Sequence, residues 1–93
     1  MTIGVLYLDL RIPGSRSLKE KRRVTKSLKQ RLRNRYNCSV AEIDYKDRWG
    51  RAKIVACVVS DDRRHVDSQL TEIARFASMK GGAELIDYEI EML

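Results

Sequence analysis

The 93-residue sequence predicts an α+β fold in which four strands and two helices follow one another in the order β-α-β-β-α-β. Three observations predict it. Apolar and polar residues alternate in one segment near each end of the chain. Two other segments repeat apolar residues at helical spacing. Midway, a short polar link separates two strand-like runs.

From Ile3 to Ile12, Leu6, Leu8, Leu10 and Ile12 fall on one side, while Tyr7, Asp9 and Arg11 fall on the other. This is the pattern of a half-buried strand. Pro13-Gly14 ends it. Ser17 followed by Glu20 forms a capping box, so a helix is expected from near Leu18 to about Tyr36. Residues 39–46 and 51–59 read as two strands. The link Asp47-Arg48-Trp49-Gly50 suits a type I turn with Gly50 at its left-handed position. That turn pairs Asp47 with Arg51 and sets Ile43, Ala41 and Ser39 opposite Val55, Cys57 and Val59. These pairs are apolar or small, so their face is expected to meet the helices. A second helix starts in "SDDRRHV", where Asp61 and Asp62 suit a helix N-terminus. Val66, Leu70, Ile73, Ala74 and Ala77 form its apolar stripe, and Gly81-Gly82 stops it. Residues 84–92 form a last strand, with Ile86, Tyr88 and Ile90 alternating against Asp87, Glu89 and Glu91. The expected architecture is a single ferredoxin-like domain over residues 1–93. It has a four-stranded antiparallel sheet with two helices on one face and an open second face.

Composition narrows the function. Charged residues make up 34 % and hydrophobic ones 43 %, values of a soluble globular protein. No apolar run approaches the ~20 residues of a membrane span. Asp9 and Arg11 interrupt the early apolar stretch, so no signal-peptide pattern opens the chain. A cytoplasmic protein with no membrane partner is expected, with Cys38 and Cys57 as free thiols about three strand pairs apart. The net charge of +6 is unevenly spread. Residues 1–36 hold 11 basic and 2 acidic side chains, a balance of +9; residues 37–93 hold 8 and 11, a balance of −3. Asymmetry of this kind points to an anionic partner for one side. Charge from heat adaptation alone would mix the signs.

On the first helix, Val24, Leu28, Leu32 and Tyr36 gather on one side, with Leu18 at its margin. Lys19, Arg22, Arg23, Lys26, Lys29 and Arg33 gather on a neighbouring arc, outside which lies the only acid, Glu20. A solvated helix normally mixes signs at i and i+4. The alternatives are a merely soluble face and a surface for phosphates, where each neutralised phosphate releases counterions.

The expected register leaves Ile54, Ala56, Val58 and Tyr7 on the open sheet face, edged by Glu42, Asp44, Asp87, Glu89, Glu91 and Asp9. RNA-recognition motifs of this topology stack bases on sheet aromatics. Here the third strand, "RAKIVACVV", has none, and carboxylates repel phosphates. An apolar centre with charged edges better suits a protein interface or a homodimer.

Other candidates are thinner. His65 is the only histidine and has no placed cysteine or serine partner, so no catalytic residue is assigned. Asp61, Asp62 and His65 match no established metal spacing; capping accounts for them, and neither metal nor cofactor is expected. Trp49, between Arg48 and Arg51, either stacks on a base or folds back as a hydrophobic plug. Arg16, in "GSRS" at the first helix start, is placed to meet a phosphate, although the capping box uses some donors there. Acylphosphatases share the size and topology and carry an arginine in this loop. Their glycine-rich phosphate cradle is absent, which leaves that enzyme class as a minor alternative.

The stretches "IPGSRSLKEKR" (12–22) and "VVSDDRRHV" (58–66) are the most specific parts of a likeness that covers nearly the whole chain. It resembles the YlxP-like bacterial family, a domain of unknown function. Members look ferredoxin-like, and their genes often lie beside those of translation and ribosome-maturation factors. The resemblance implies a role near the ribosome or its RNA and brings no catalytic residues. The expectation is a non-enzymatic protein that docks on RNA or a ribosomal subunit through its basic helix, with a protein-interaction or homodimerisation module on the open sheet as the alternative.

Overall fold

The structure, a computed structural model, describes residues 1–79 and 81–93. The elements are β1 (Thr2–Arg11), α1 (Leu18–Arg35), β2 (Ser39–Asp44), β3 (Arg51–Ser60), α2 (Arg63–Met79) and β4 (Glu84–Met92). The strands form one antiparallel sheet in the order β2-β3-β1-β4. Both helices cover the same face. This is the ferredoxin-like α+β architecture expected from the sequence.

Local chemistry starts and stops each helix. The Ser17 hydroxyl accepts from the Glu20 amide at 3.1 Å, and the Glu20 carboxylate accepts from the Arg16 amide. At the C-terminal end, Tyr36 turns extended while its amide still reaches Leu32 O at 2.9 Å. The Tyr36 ring meets Phe76 of α2 edge-on, with centroids 5.9 Å apart, and so ties the helices together. Asp62 caps α2, its carboxylate accepting from the Arg64 amide at 2.9 Å. Gly4 marks where α2 crosses β1: a Cβ there would lie 2.4 Å from Val66 Cγ1, so only hydrogen fits.

The core joins Leu6, Leu8 and Leu10 of β1 to Ile54, Ala56 and Val58 of β3 and to Leu28, Leu32, Val66, Leu70 and Ile73 of the helices. The expected face of β3 is thereby reversed. Ile54 and Ala56 are fully buried and Val58 nearly so, while Val55, Cys57 and Val59 look out from the open face. The physical reason is the pairing with β1: Ala56 stands opposite Leu6 and Ile54 opposite Leu8, so these residues share the buried face of β1. The β2–β3 register differs from the expected one by two residues, a shift that leaves the faces unchanged. Ser39 pairs with Cys57, Ala41 with Val55 and Glu42 with Ile54, and an irregularity follows before Asp44 meets Lys53. The turn is not the expected one either. Its reversal is at Tyr45–Arg48, closed by the Arg48 amide on Tyr45 O at 3.0 Å. Tyr45, not Gly50, takes the left-handed conformation, at φ 60°. The register sets Cys57 opposite Ser39, one position from Cys38 rather than three, with Cys38 turned toward the core and Cys57 toward the open face; both are free thiols. Burial pushes the Cys38 thiol up, against the opposing pull of Arg33.

Candidate nucleic-acid interface

On α1, residues 22, 26, 29 and 33 recur at helical spacing and cover about 16 Å along the axis. The side facing the sheet buries Lys21, Thr25, Leu28 and Leu32, which turns this basic row toward the edge strand β2. There a groove of about 480 Å³ opens between helix and hairpin. Arg22, Lys26, Lys29 and Arg33 line one wall, and Lys46 of the hairpin lines the other. Thr25, Gln30 and Glu42 complete it. Among the described residues, Arg22, Lys26, Lys29 and Lys46 have no ion-pair partner. Arg33 is held: its guanidinium donates to Val40 O at 2.9 Å and ties α1 to β2.

Glu42 would spoil such a groove for an anion if its charge stood alone. It does not. The Lys21 ammonium, fully buried, lies 2.6 Å from Glu42 Oε2. The contact is off the line of a well-formed hydrogen bond, so the attraction is mainly Coulombic. The same ammonium donates to Tyr45 O at 2.6 Å. One lysine thus neutralises the carboxylate in the groove and anchors the hairpin that carries Lys46.

The other expected contact residues divide. Lys19 is exposed one turn before Arg22 and continues the row. Arg23 lies about 100° round the helix from Arg22 and lines a different hollow with Val24 and Gly82. Arg16 is exposed, but its amide is already bound to the Glu20 carboxylate. Trp49 is 53 % exposed and does not line the groove. The guanidiniums of Arg48 and Arg51 do not flank it; they lie over the Tyr45 ring, at 5.5 and 4.8 Å from its centroid. Sequence reasoning missed Lys46 and Lys21. A correct turn would have found Lys46. Lys21, three residues before Val24 and seven before Leu28, falls on the apolar side of the helix, and that spacing was the signal for its burial.

The open sheet face carries Ile3, Val5, Tyr7 and Asp9 of β1 beside Lys53, Val55, Cys57 and Val59 of β3. Of the four residues expected to form an interface there, only Tyr7 lies on it. Ile54, Ala56 and Val58 belong to the core. Glu42 also departs from the expected open face and points to the helix side. On β4, Glu89 and Glu91 stand opposite Tyr7 and Val5, and Asp87 opposite Asp9. The Tyr7 hydroxyl donates to Glu91 Oε1 at 3.3 Å. The charge of Glu91 is the main reason that the phenol stays protonated above its usual range. Asp9 is paired with Arg51 at 2.8 Å.

Among the described residues no group of His, Cys, Asp and Glu is arranged to hold a metal ion, and no helix is long and apolar enough to cross a membrane. His65 is exposed at the start of α2, where its amide joins the cap on Asp62.

Two comparisons bear on kinship. Residues 3–90 match the family described as "Protein of unknown function (DUF503)". The chain is also 35 % identical over 74 residues to "Uncharacterized protein YlxP" of Bacillus subtilis (strain 168), covering 80 % of each chain. With nearly its whole length matched, from β1 into β4, this chain belongs to the DUF503 family.

Proposed function

We propose that this protein is a non-enzymatic RNA-binding protein that grips phosphates in the groove between α1 and the β2–β3 hairpin, acting on the ribosome or its RNA. The observation that carries the reading is the convergence of Arg22, Lys26, Lys29, Arg33 and Lys46 on one groove in which the only carboxylate is already neutralised by Lys21. Like charges set this closely repel one another. A polyanion relieves that repulsion and releases its own counterions. The groove offers no aromatic ring for stacking, so it suits the sugar-phosphate backbone rather than base edges. The loop around Arg16 supports a binding rather than an enzymatic role. A phosphoryl group entering there would meet the Glu20 carboxylate, not free amides.

The test is the salt dependence of RNA affinity. Wild type should lose affinity steeply as salt rises. Changing Arg22, Lys26 and Lys29 to Gln should reduce the slope of log K against log salt by about 2–3, at roughly 0.7–0.9 per lost phosphate contact. Gln keeps helix propensity close to that of Lys and Arg, so α1 should survive. Changing Arg63, Arg64 and Arg75 of α2 to Gln removes the same charge elsewhere and should leave the slope nearly unaltered. Equal slopes in the two triple variants, or no RNA binding by wild type at low salt, would reduce the groove to a solvated face.

A further inference from the structure

The sheet face away from the helices is built from two kinds of surface side by side. Its centre is apolar: Val5 of β1 and Val55, Cys57 and Val59 of β3, of which Val59 is 57 % exposed. Its β4 margin is acidic, with Glu89 and Glu91 in register with that apolar centre. Neither glutamate has an ion-pair partner among the described residues. Glu91 accepts only the Tyr7 hydroxyl there. A soluble protein seldom leaves contiguous β-branched side chains uncovered without a use for them.

We propose that this face docks a basic amphipathic helix of another protein, its apolar side on the valines of β1 and β3 and its cations along Glu89 and Glu91. The dimensions agree. Neighbouring strands lie about 4.8 Å apart, so a helix about 10 Å wide covers β1 and β3 together and brings one flank over β4. The same sheet already seats two helices on its other side. The charge excludes nucleic acid, since phosphates would approach carboxylates. It also disfavours a second copy of this chain. Aligned face-to-face pairing about an axis along the strands lays Glu89 and Glu91 over the partner's β2, which offers no cation there. Pairing about an axis across the strands sets acid against acid. Of the cations near one end of the face, Arg51 is paired with Asp9 and Arg11 with Glu84, and the Lys53 ammonium lies 5.9 Å from the Tyr7 ring centroid.

The experiment uses the full chain, isotopically labelled, titrated with two synthetic fifteen-residue peptides followed by amide chemical shifts. One peptide is an amphipathic helix of Leu and Lys, the other its Leu and Glu counterpart. The Leu/Lys peptide is expected to bind at least about tenfold more tightly and to perturb β1, β3 and β4. The double change Glu89→Gln/Glu91→Gln should weaken it about tenfold through lost charge contacts, since each exposed pair contributes only modestly. The double change Val55→Thr/Val59→Thr, which keeps shape and strand propensity, should weaken it by a similar factor through lost apolar contact. Both variants alter exposed or half-exposed positions, and unchanged melting would show that the fold is intact. Equal binding of the two peptides, perturbations confined to the helices, or self-association of the free chain through the sheet would each overturn the proposal. None of these outcomes bears on RNA binding, which the α1 variants test separately.

Discussion

Lys21 is one of nine basic residues between Leu18 and Tyr36, yet it does something the others do not. Burying an ammonium is costly unless it is paired and hydrogen-bonded. Here Glu42 supplies the charge and Tyr45 O the acceptor. Removing one partner of such a pair leaves the other uncompensated. Lys21→Met is therefore expected to cost about 3 kcal/mol, measured by urea denaturation. The double change Lys21→Met/Glu42→Leu should recover part of that loss, though not the bond to Tyr45 O. If the double variant is no more stable than the single one, the pair is not coupled as described. In the sequence, Lys21 is one lysine in a basic run. Its spacing from Val24 and Leu28 already puts it on the apolar side of α1, but its partners Glu42 and Tyr45 lie more than twenty residues away and only the packing of α1 on the hairpin brings them to it. The capping box was legible by contrast, because its chemistry is contained within five consecutive residues, Arg16 to Glu20.

Among the elements, β3 shows most clearly how far a pattern can carry. Both of its faces are apolar, Ile54-Ala56-Val58 on one and Val55-Cys57-Val59 on the other, so alternation cannot say which is inside. The expected hairpin set β2 against β3 but could not say which face of the pair meets the helices; pairing with β1 decides that, with Ala56 opposite Leu6 and Ile54 opposite Leu8. Strand β1 was read correctly because Asp9 and Arg11 mark its outer side. Two neighbouring substitutions on β3 separate the faces. Val58→Asp places a carboxylate in the core and is expected to cost at least about 3 kcal/mol or prevent folding. Val59→Asp lies in solvent and should change stability by no more than about 1 kcal/mol. Thermal denaturation of the two decides the assignment, and equal melting would contradict it. The helices were legible because each has a single apolar stripe; all five apolar residues expected on α2 are buried.

At the scale of the molecule, the uneven charge of the sequence becomes a spatial separation. The cationic groove lies between α1 and the β2–β3 hairpin at one sheet edge, and the acidic margin follows β4 at the other. Two surfaces of opposite sign on one small body can be occupied together. RNA bound at α1 should therefore leave affinity for the Leu/Lys peptide within about twofold, once the peptide's own attraction to RNA is suppressed by moderate salt. Mutual exclusion, measured by titrating one ligand in the presence of the other, would show that the two surfaces overlap. The bipolar composition was plain in the sequence. Its distribution across opposite edges was not, because that follows from strand order, which places β2 and β4 at the edges.

That strand order also governs how the chain reaches its fold. β1 is central, and both of its partners are far along the chain: Thr2 pairs with Ser60, and Gly4 with Met92. Loop closure must be paid for before such contacts give anything back, and folding slows as the mean sequence separation of contacts rises. The local order in this chain is the two helices and the β2–β3 hairpin. Refolding by stopped-flow dilution should accordingly take milliseconds or longer rather than the microseconds of a helical bundle. During synthesis, β1 stays unpaired on one side until β4 has been made. The unpaired edge of β1, with its backbone N–H and C=O groups open to another strand, would then persist until those last strand residues appear.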